Sequence, residues 1–253
     1  MSVALTRLMA ELDKLLEPGQ YKDYCPNGLQ VQGKAEITKI ATAVTASQNI
    51  VDQAVACGAD ALLVHHGYFW KNEPNVLVGM KYKRISALIK HDINLIAYHL
   101  PLDAHAKLGN NVQLAQKLGW SITDGLEAGN PRSIGLVGEV SESVSLAELS
   151  QQIETVLARE PLVIGDAERE IRKIAWCTGA AQGMIEQAAE AGCDLYVSGE
   201  ISENTVHTAR ELGIAYMAAG HHATERYGVL AVGEWLEKEL GVEHIALDEA
   251  NPV

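Results

Sequence analysis

ITKIATAVTASQNIVDQAVACGAD, from Ile37 to Asp60, decides how this chain folds, because it occurs twice. IRKIAWCTGAAQGMIEQAAEAGCD, Ile171 to Asp194, aligns with it without a gap over 24 positions, ten of them identical. Each copy opens on a short apolar run, Ile40 to Val44 or Ile174 to Cys177, that reads as a buried strand. A helix is predicted from Gln48 or Gln182 to about Gly58 or Gly192, followed by a second apolar strand, Ala61–Val64 or Leu195–Val197. This is a βαβ unit, and its uninterrupted apolar strands suit a parallel sheet covered on both faces.

The surroundings extend the pattern. A helix over Lys83–His91 and a strand over Asn94–Tyr98 follow the first copy; a helix over Asn204–Leu212 and a strand over Ile214–Ala218 follow the second. The expected fold is therefore α/β, with two similar three-layer lobes from an internal duplication and a metal site in the cleft between them. Gly129, Pro131 and Gly135 interrupt periodicity between Gly125 and Glu139. The lobes are accordingly expected at 1–128 and 129–253, with the last residues free to return to the first lobe.

Composition narrows the function. The 253 residues are 47% hydrophobic and 21% charged, ordinary globular values. No apolar run nears the roughly 20 residues of a membrane span. Leu5, Leu8, Leu12, Leu15 and Leu16 fall near helical spacing in an amphipathic first helix, without the unbroken apolar core of a signal peptide. Cys25, Cys57, Cys177 and Cys193 form no CxxC pair, which argues against a thiolate zinc site and suits a reducing, cytoplasmic setting. A net charge of −13 gives no basic footprint for nucleic acid, so that partner is possible but not favoured.

Ligands in open α/β sheets gather at the carboxyl ends of the strands. Three clusters fall at such ends: His65 and His66 after ALLV, His99 and Asp103 after NLIAY, and His221 and Glu225 after IAYMAAG. Three histidines and two carboxylates, His65, His66, His221, Asp103 and Glu225, form a donor set for iron, zinc, manganese or nickel. Five side chains exceed what one open catalytic ion needs and suit two divalent ions roughly 3.5–4 Å apart. Glu225, with the longer side chain, is the better bridge. His221 and Glu225 share a face if they begin a helix. Neighbouring His65 and His66 would point oppositely within a regular strand, but Gly67 permits a turn there. His99 reads as a proton shuttle or substrate contact beside the ligands. No P-loop, GxGxxG fingerprint or Ser/His/Asp triad is present.

Four ordered motifs, CPNGLQVQG from Cys25, LLVHHGYFW from Leu62, YHLPLDAH from Tyr98 and GHHATERYG from Gly220, carry a family resemblance. The chain resembles the GTP cyclohydrolase I type 2 homologs, also called NGG-interacting-factor-three-like proteins. The resemblance implies a dinuclear metal centre on His65, His66, Asp103, His221 and Glu225, and a toroidal homohexamer. It also implies that Asn27 and Gln30 of the NGLQ segment lie near the metal cleft as substrate contacts; read alone, NGLQ is a turn and the start of a strand. The leading expectation is a metal-dependent hydrolase of a nucleotide-like or heterocyclic small molecule. Phosphoester hydrolysis on damaged nucleotides or DNA, and a non-catalytic metal-storage or regulatory scaffold, remain open.

Overall fold

The computed structural model describes residues 2–253. The chain begins with β1 (Val3–Ala4), α1 (Leu5–Leu16), β2 (Gly28–Val31), β3 (Glu36–Ile37), β4 (Lys39–Thr45), α2 (Gln48–Ala56) and β5 (Ala61–His66). It continues with α3 (Gly79–Lys90), β6 (Asn94–Ala97), α4 (Leu100–Ala104), α5 (Asn110–Leu118), β7 (Ser121–Gly125), β8 (Leu136–Ser145) and α6 (Leu146–Leu157). The last part holds β9 (Leu162–Ile164), β10 (Glu170–Cys177), α7 (Ile185–Glu190), β11 (Leu195–Ser198), α8 (Glu203–Leu212), β12 (Ala215–Ala218), α9 (His221–Leu240) and β13 (Glu243–Ala246). Two compact units result: the residues up to Leu102 with Gly228–Ala250, and Asp103–Tyr227 with Asn251–Val253.

The first unit is built on a five-stranded sheet in the order β13-β4-β5-β6-β2, parallel except for β2. One face buries Ala41, Ala43, Leu62, Val64, Leu95 and Ala97 against Ile50, Val51 and Ala54 of α2 and Ile85 and Leu88 of α3. On the other face, His244 hydrogen-bonds Thr42 at 2.8 Å and sits where a Cβ on Gly233 of α9 would lie 2.1 Å from its Nε2. There α1, whose Leu5, Leu8, Leu12 and Leu16 are all buried, is tied to the strand end by Asp13 accepting from the Tyr98 hydroxyl. Each fully buried leucine of that stripe contributes about 2 kcal/mol by transfer from water.

The second unit holds a six-stranded mixed sheet, β7-β8-β10-β11-β12-β9, in which β10, β11 and β12 are parallel. Alternate strand residues serve opposite faces. Ile174, Trp176, Leu195, Val197 and Met217 pack on α5 and α6, while Ala175, Cys177, Tyr196 and Tyr216 pack on α7 and α8. Ser145 and Glu148 form a reciprocal capping box that starts α6.

The repeated segments fold alike, bond for bond. Ile40 pairs with Ala61 as Ile174 pairs with Leu195, both registers offset by the same sequence interval. Asp60 accepts from the amides of Thr38 and Lys39, and Asp194 from those of Arg172 and Lys173. The Lys39 ammonium binds the Cys57 carbonyl, and the Lys173 ammonium the Ala191 carbonyl. Local chemistry makes the differences. Ser47 caps α2 by accepting from the Ile50 amide at 3.2 Å, whereas the second copy has Ala181 preceding a 3-10 turn, Gln182–Met184, so its helix starts only at Ile185. The helix expected from Gln182 is shortened accordingly, and the one expected from Lys83 begins earlier, at Gly79.

The interruption around Gly129 and Pro131 is a connection within one sheet. β7 and β8 flank it as an antiparallel pair, and Glu127 accepts from the Ile134 amide across it. The compact units divide instead at Leu102/Asp103 and within α9, and residues 103–128 fall with the second unit. Glycine and proline mark a turn there, and a turn and a domain boundary use the same residues.

Candidate metal centre

In the first unit, the carboxyl ends of β5 and β6 bring three histidines together. The rings of His65 and His66 lie 4.5 Å apart, and that of His99 lies 5.0 Å from His65 and 5.8 Å from His66. One donor atom from each falls within 4.8 Å of the others. The neighbouring histidines converge because β5 ends at His66 and the chain turns at Gly67, where a Cβ would lie 2.3 Å from the Gln30 carboxamide oxygen. His65 is fully buried, and its Nδ1 lies 3.1 Å from the Tyr98 carbonyl oxygen. A carbonyl only accepts, so Nδ1 carries the proton and Nε2 the lone pair of the neutral ring.

His99 is held differently. Its Nδ1 meets Asp23 Oδ1 at 2.7 Å, and its amide donates to Asn27 Oδ1 at 2.7 Å. Burial works to raise the Asp23 pKa, but hydrogen bonds from His99, Asn27 and the Tyr24 amide outweigh it and hold the carboxyl at about 2. Beside it, burial and the Asp23 charge push the Cys25 thiol up to about 12. Gln30 donates to the carbonyls of Pro26 and Tyr68 and accepts from the Tyr68 amide at 2.7 Å, clamping the turn after His66. The carboxamides of Asn27 and Gln30 are thus both engaged in shaping this end of the sheet.

In the second unit, a glycine follows one or two residues after the end of each of β10, β11 and β12. Gly199 donates to the Gly179 carbonyl and Gly220 to the Gly199 carbonyl, each at 2.9 Å. A Cβ on Gly199 would lie 2.7 Å from the His221 Cα, so only glycine lets the start of α9 settle this low. His221 and Glu225 then share one face of α9, with Nε2 3.2 Å from Glu225 Oε2. His221 Nδ1 meets Glu200 Oε1 at 2.7 Å. Burial lowers the His221 pKa, yet the two carboxylates, Glu225 foremost, raise it to about 9. Asp103 is buried, with Asn110 Nδ2 donating to its Oδ1 at 2.8 Å and the Thr178 hydroxyl 3.4 Å from the same oxygen.

Asp23 and Glu200, which orient His99 and His221, escaped the sequence reading. Asp23 lies 76 residues from His99 and carries no local signal. Glu200 did have one, since it occupies the position in the second copy that His66 occupies in the first. Three further histidines serve elsewhere: His105 accepts from the Leu108 amide, His207 pairs with Glu203 on a helix surface, and His244 binds Thr42. Among the described residues, no helix is long and apolar enough to cross a membrane.

Known proteins resemble this chain over its whole length. A GTP cyclohydrolase 1 type 2 homolog of Pseudomonas aeruginosa is 53% identical over 252 residues, covering all of both chains. One of Vibrio cholerae serotype O1 is 52% identical over 249 residues, covering 98% of each. A solved structure described as protein ybgI, of unknown function, is 46% identical and superposes with a TM-score of 0.95 over 99% of this chain and all of that one. Residues 3–252 match the model of one family. The chain belongs to the Duf34/NIF3 (NGG1p interacting factor 3) family.

Proposed function

We propose that this chain is a metal-dependent hydrolase of a nucleotide-like or heterocyclic small molecule, holding two divalent ions on His65, His66, Asp103, His221 and Glu225. The observation that carries the reading is the orientation of the imidazoles. His65 and His221 each commit Nδ1 to an acceptor, the Tyr98 carbonyl and the Glu200 carboxylate, which directs Nε2 toward other donors. Metal-binding histidines are held in this way by carbonyl or carboxylate partners, which fix the tautomer and raise ligand basicity. The donor set, nitrogen and oxygen without thiolate, fits iron, zinc, manganese or nickel.

Ions in such a site acidify water and polarise an electrophilic group. The protein's own part is positional. Asp23 fixes the His99 ring by its Nδ1 and leaves Nε2 to take up or release a proton beside His65 and His66. The name carried by the curated relatives, GTP cyclohydrolase 1 type 2 homolog, belongs to those proteins and favours a purine or pterin in the first panel tried.

Protein purified without oxygen is expected to carry about two ions per chain by elemental analysis, as two-metal sites do. With its native metal it is expected to turn over at least one member of a nucleotide and pterin panel. Replacement Glu225→Gln should lower both metal content and turnover. A Glu225→Gln protein that keeps both ions and full activity refutes the assignment.

A further inference from the structure

The loop after β5 is built at a conformational cost. Phe69 sits at φ +66°, a left-handed conformation that a bulky non-glycine residue rarely adopts. The surroundings hold it there. Glu73 accepts from the Phe69 amide at 2.8 Å and the Trp70 amide at 3.3 Å. Lys81, a buried lysine, meets Glu73 at 3.1 Å, donates to the Pro74 carbonyl and lies 4.7 Å from the centre of the Phe69 ring. The Lys71 amide donates to the Tyr24 carbonyl at 2.8 Å, tying this loop to the segment that carries Asp23. Backbone strain of this kind persists where the structure over-determines it, and it marks positions whose geometry is being used.

What the strain holds in place is the Trp70 side chain. Its indole Nε1 is anchored to the Gly67 carbonyl at 3.2 Å. Its ring lies 5.0 Å from His99 and 5.8 Å from His66. Tyr24, mostly exposed, puts a second ring 6.3 Å from His99. The two rings stand steeply to the imidazole, at 82° for Trp70 and 66° for Tyr24. Core aromatics would not need this apparatus, and a surface tyrosine this exposed gains nothing from its own burial.

We infer that Trp70 and Tyr24 are a stacking subsite that binds a planar heteroaromatic ring of the substrate and sets it against His99. The inference rests on the reading of the centre as acting on a small molecule, and it names the part of that molecule the protein recognises. Stacking accepts any flat π-face, so the subsite selects for a ring and not for one base. The hydrogen-bonded indole nitrogen keeps Trp70 from turning away and lowers the ordering cost on binding.

The test uses full-length, manganese-loaded protein with GMP, AMP and ribose 5-phosphate as probes. Both nucleotides are expected to bind more tightly than ribose 5-phosphate and to quench tryptophan fluorescence. Trp70→Ala should weaken both nucleotides about tenfold or more and leave ribose 5-phosphate unchanged. Trp70→Phe, which keeps a ring, should retain most of the affinity and lose the quench, and it serves if the alanine variant folds poorly. Tyr24→Ala should weaken both nucleotides by a smaller factor, and manganese content should be equal across the series. Nucleotides that bind no better than ribose 5-phosphate, or that bind Trp70→Ala within twofold of the parent, overturn the inference. If that happens while the parent still turns over a panel member with its metal, only the subsite falls. If Glu225→Gln keeps metal and activity while stacking holds, the metal assignment falls and the subsite stands.

Discussion

Gly179 lies two residues past the end of β10 with φ +70°, and a Cβ built on it would lie 2.1 Å from Glu225 Oε1 and 3.2 Å from His221 Nε2. Replacement Gly179→Ala therefore does two separable things. It places an L-residue in the left-handed region, which costs about 1–2 kcal/mol. It also forces the Glu225 carboxylate back by about 1.3 Å to ordinary van der Waals contact. Functional constellations tolerate about 0.5 Å of misplacement, so the second effect should reach the metal centre and weaken metal binding about 10–100-fold. Gly192→Ala isolates the first effect, because Gly192 has φ +69° and nothing within 4 Å of its Cβ position. Denaturant unfolding of the metal-free proteins should show similar strain in both variants. Calorimetric titration with manganese should show the loss only in Gly179→Ala. Equal manganese affinities in the two variants would refute the placement of Glu225 among the ligands.

Asp23→Asn should detach His99 and reduce turnover more than metal content. Asp23, whose side chain is 4% exposed, has its pKa held at about 2 against 3.8 in the unfolded chain, equivalent to about 2 kcal/mol of stability. That contribution is fully present above pH ~4 and is lost as the pH falls through the folded value, so acid unfolding of Asp23→Asn should lack this component. Asp60→Asn and Asp194→Asn should both destabilise by about 1.5–3 kcal/mol, because each carboxylate accepts two backbone amides. Asp60→Asn should cost more, since only Asp60 also holds a lysine, Lys34; equal losses would argue that the Lys34 contact contributes nothing. Leu12→Ala, at a fully buried position of α1, should lower unfolding stability by about 2–5 kcal/mol, and a loss under 1 kcal/mol would contradict the packing of that helix.

The parallel strands were legible because a strand buried on both faces is nearly continuously apolar, as Ala61–Val64 and Leu195–Val197 are and as Ile40–Val44 is apart from Thr42. His221 and Glu225 were legible as neighbours because helical spacing brings them together without tertiary information. Less was visible where tertiary contact decides. The delayed start of α7 follows from a cap that Ser47 provides and Ala181 does not, and the sequence pattern around Gln182 looks helical all the same. The early start of α3 follows a run, Val76–Met80, with four of its five residues large, apolar and exposed, where no periodicity marks an edge. The convergence of the His65 and His66 rings depends on Gln30 filling the space beside Gly67, a contact formed across 38 residues.

Asp60 and Asp194 occupy the amino-terminal approach to β5 and β11, where each latches the start of the neighbouring strand. The candidate ligands lie at or within two helical turns past the opposite, carboxyl ends of the parallel strands β5, β6 and β12. One end of each sheet thus keeps a common fastening while the other is open to change. An ancestral module copied in this form could exchange the residue at the position of His66 and Glu200 without loosening the bonds that register its strands. The separation lets that one position carry an imidazole in the first copy and, in the second, the carboxylate that orients His221, so local divergence need not wait on rescue of the fold.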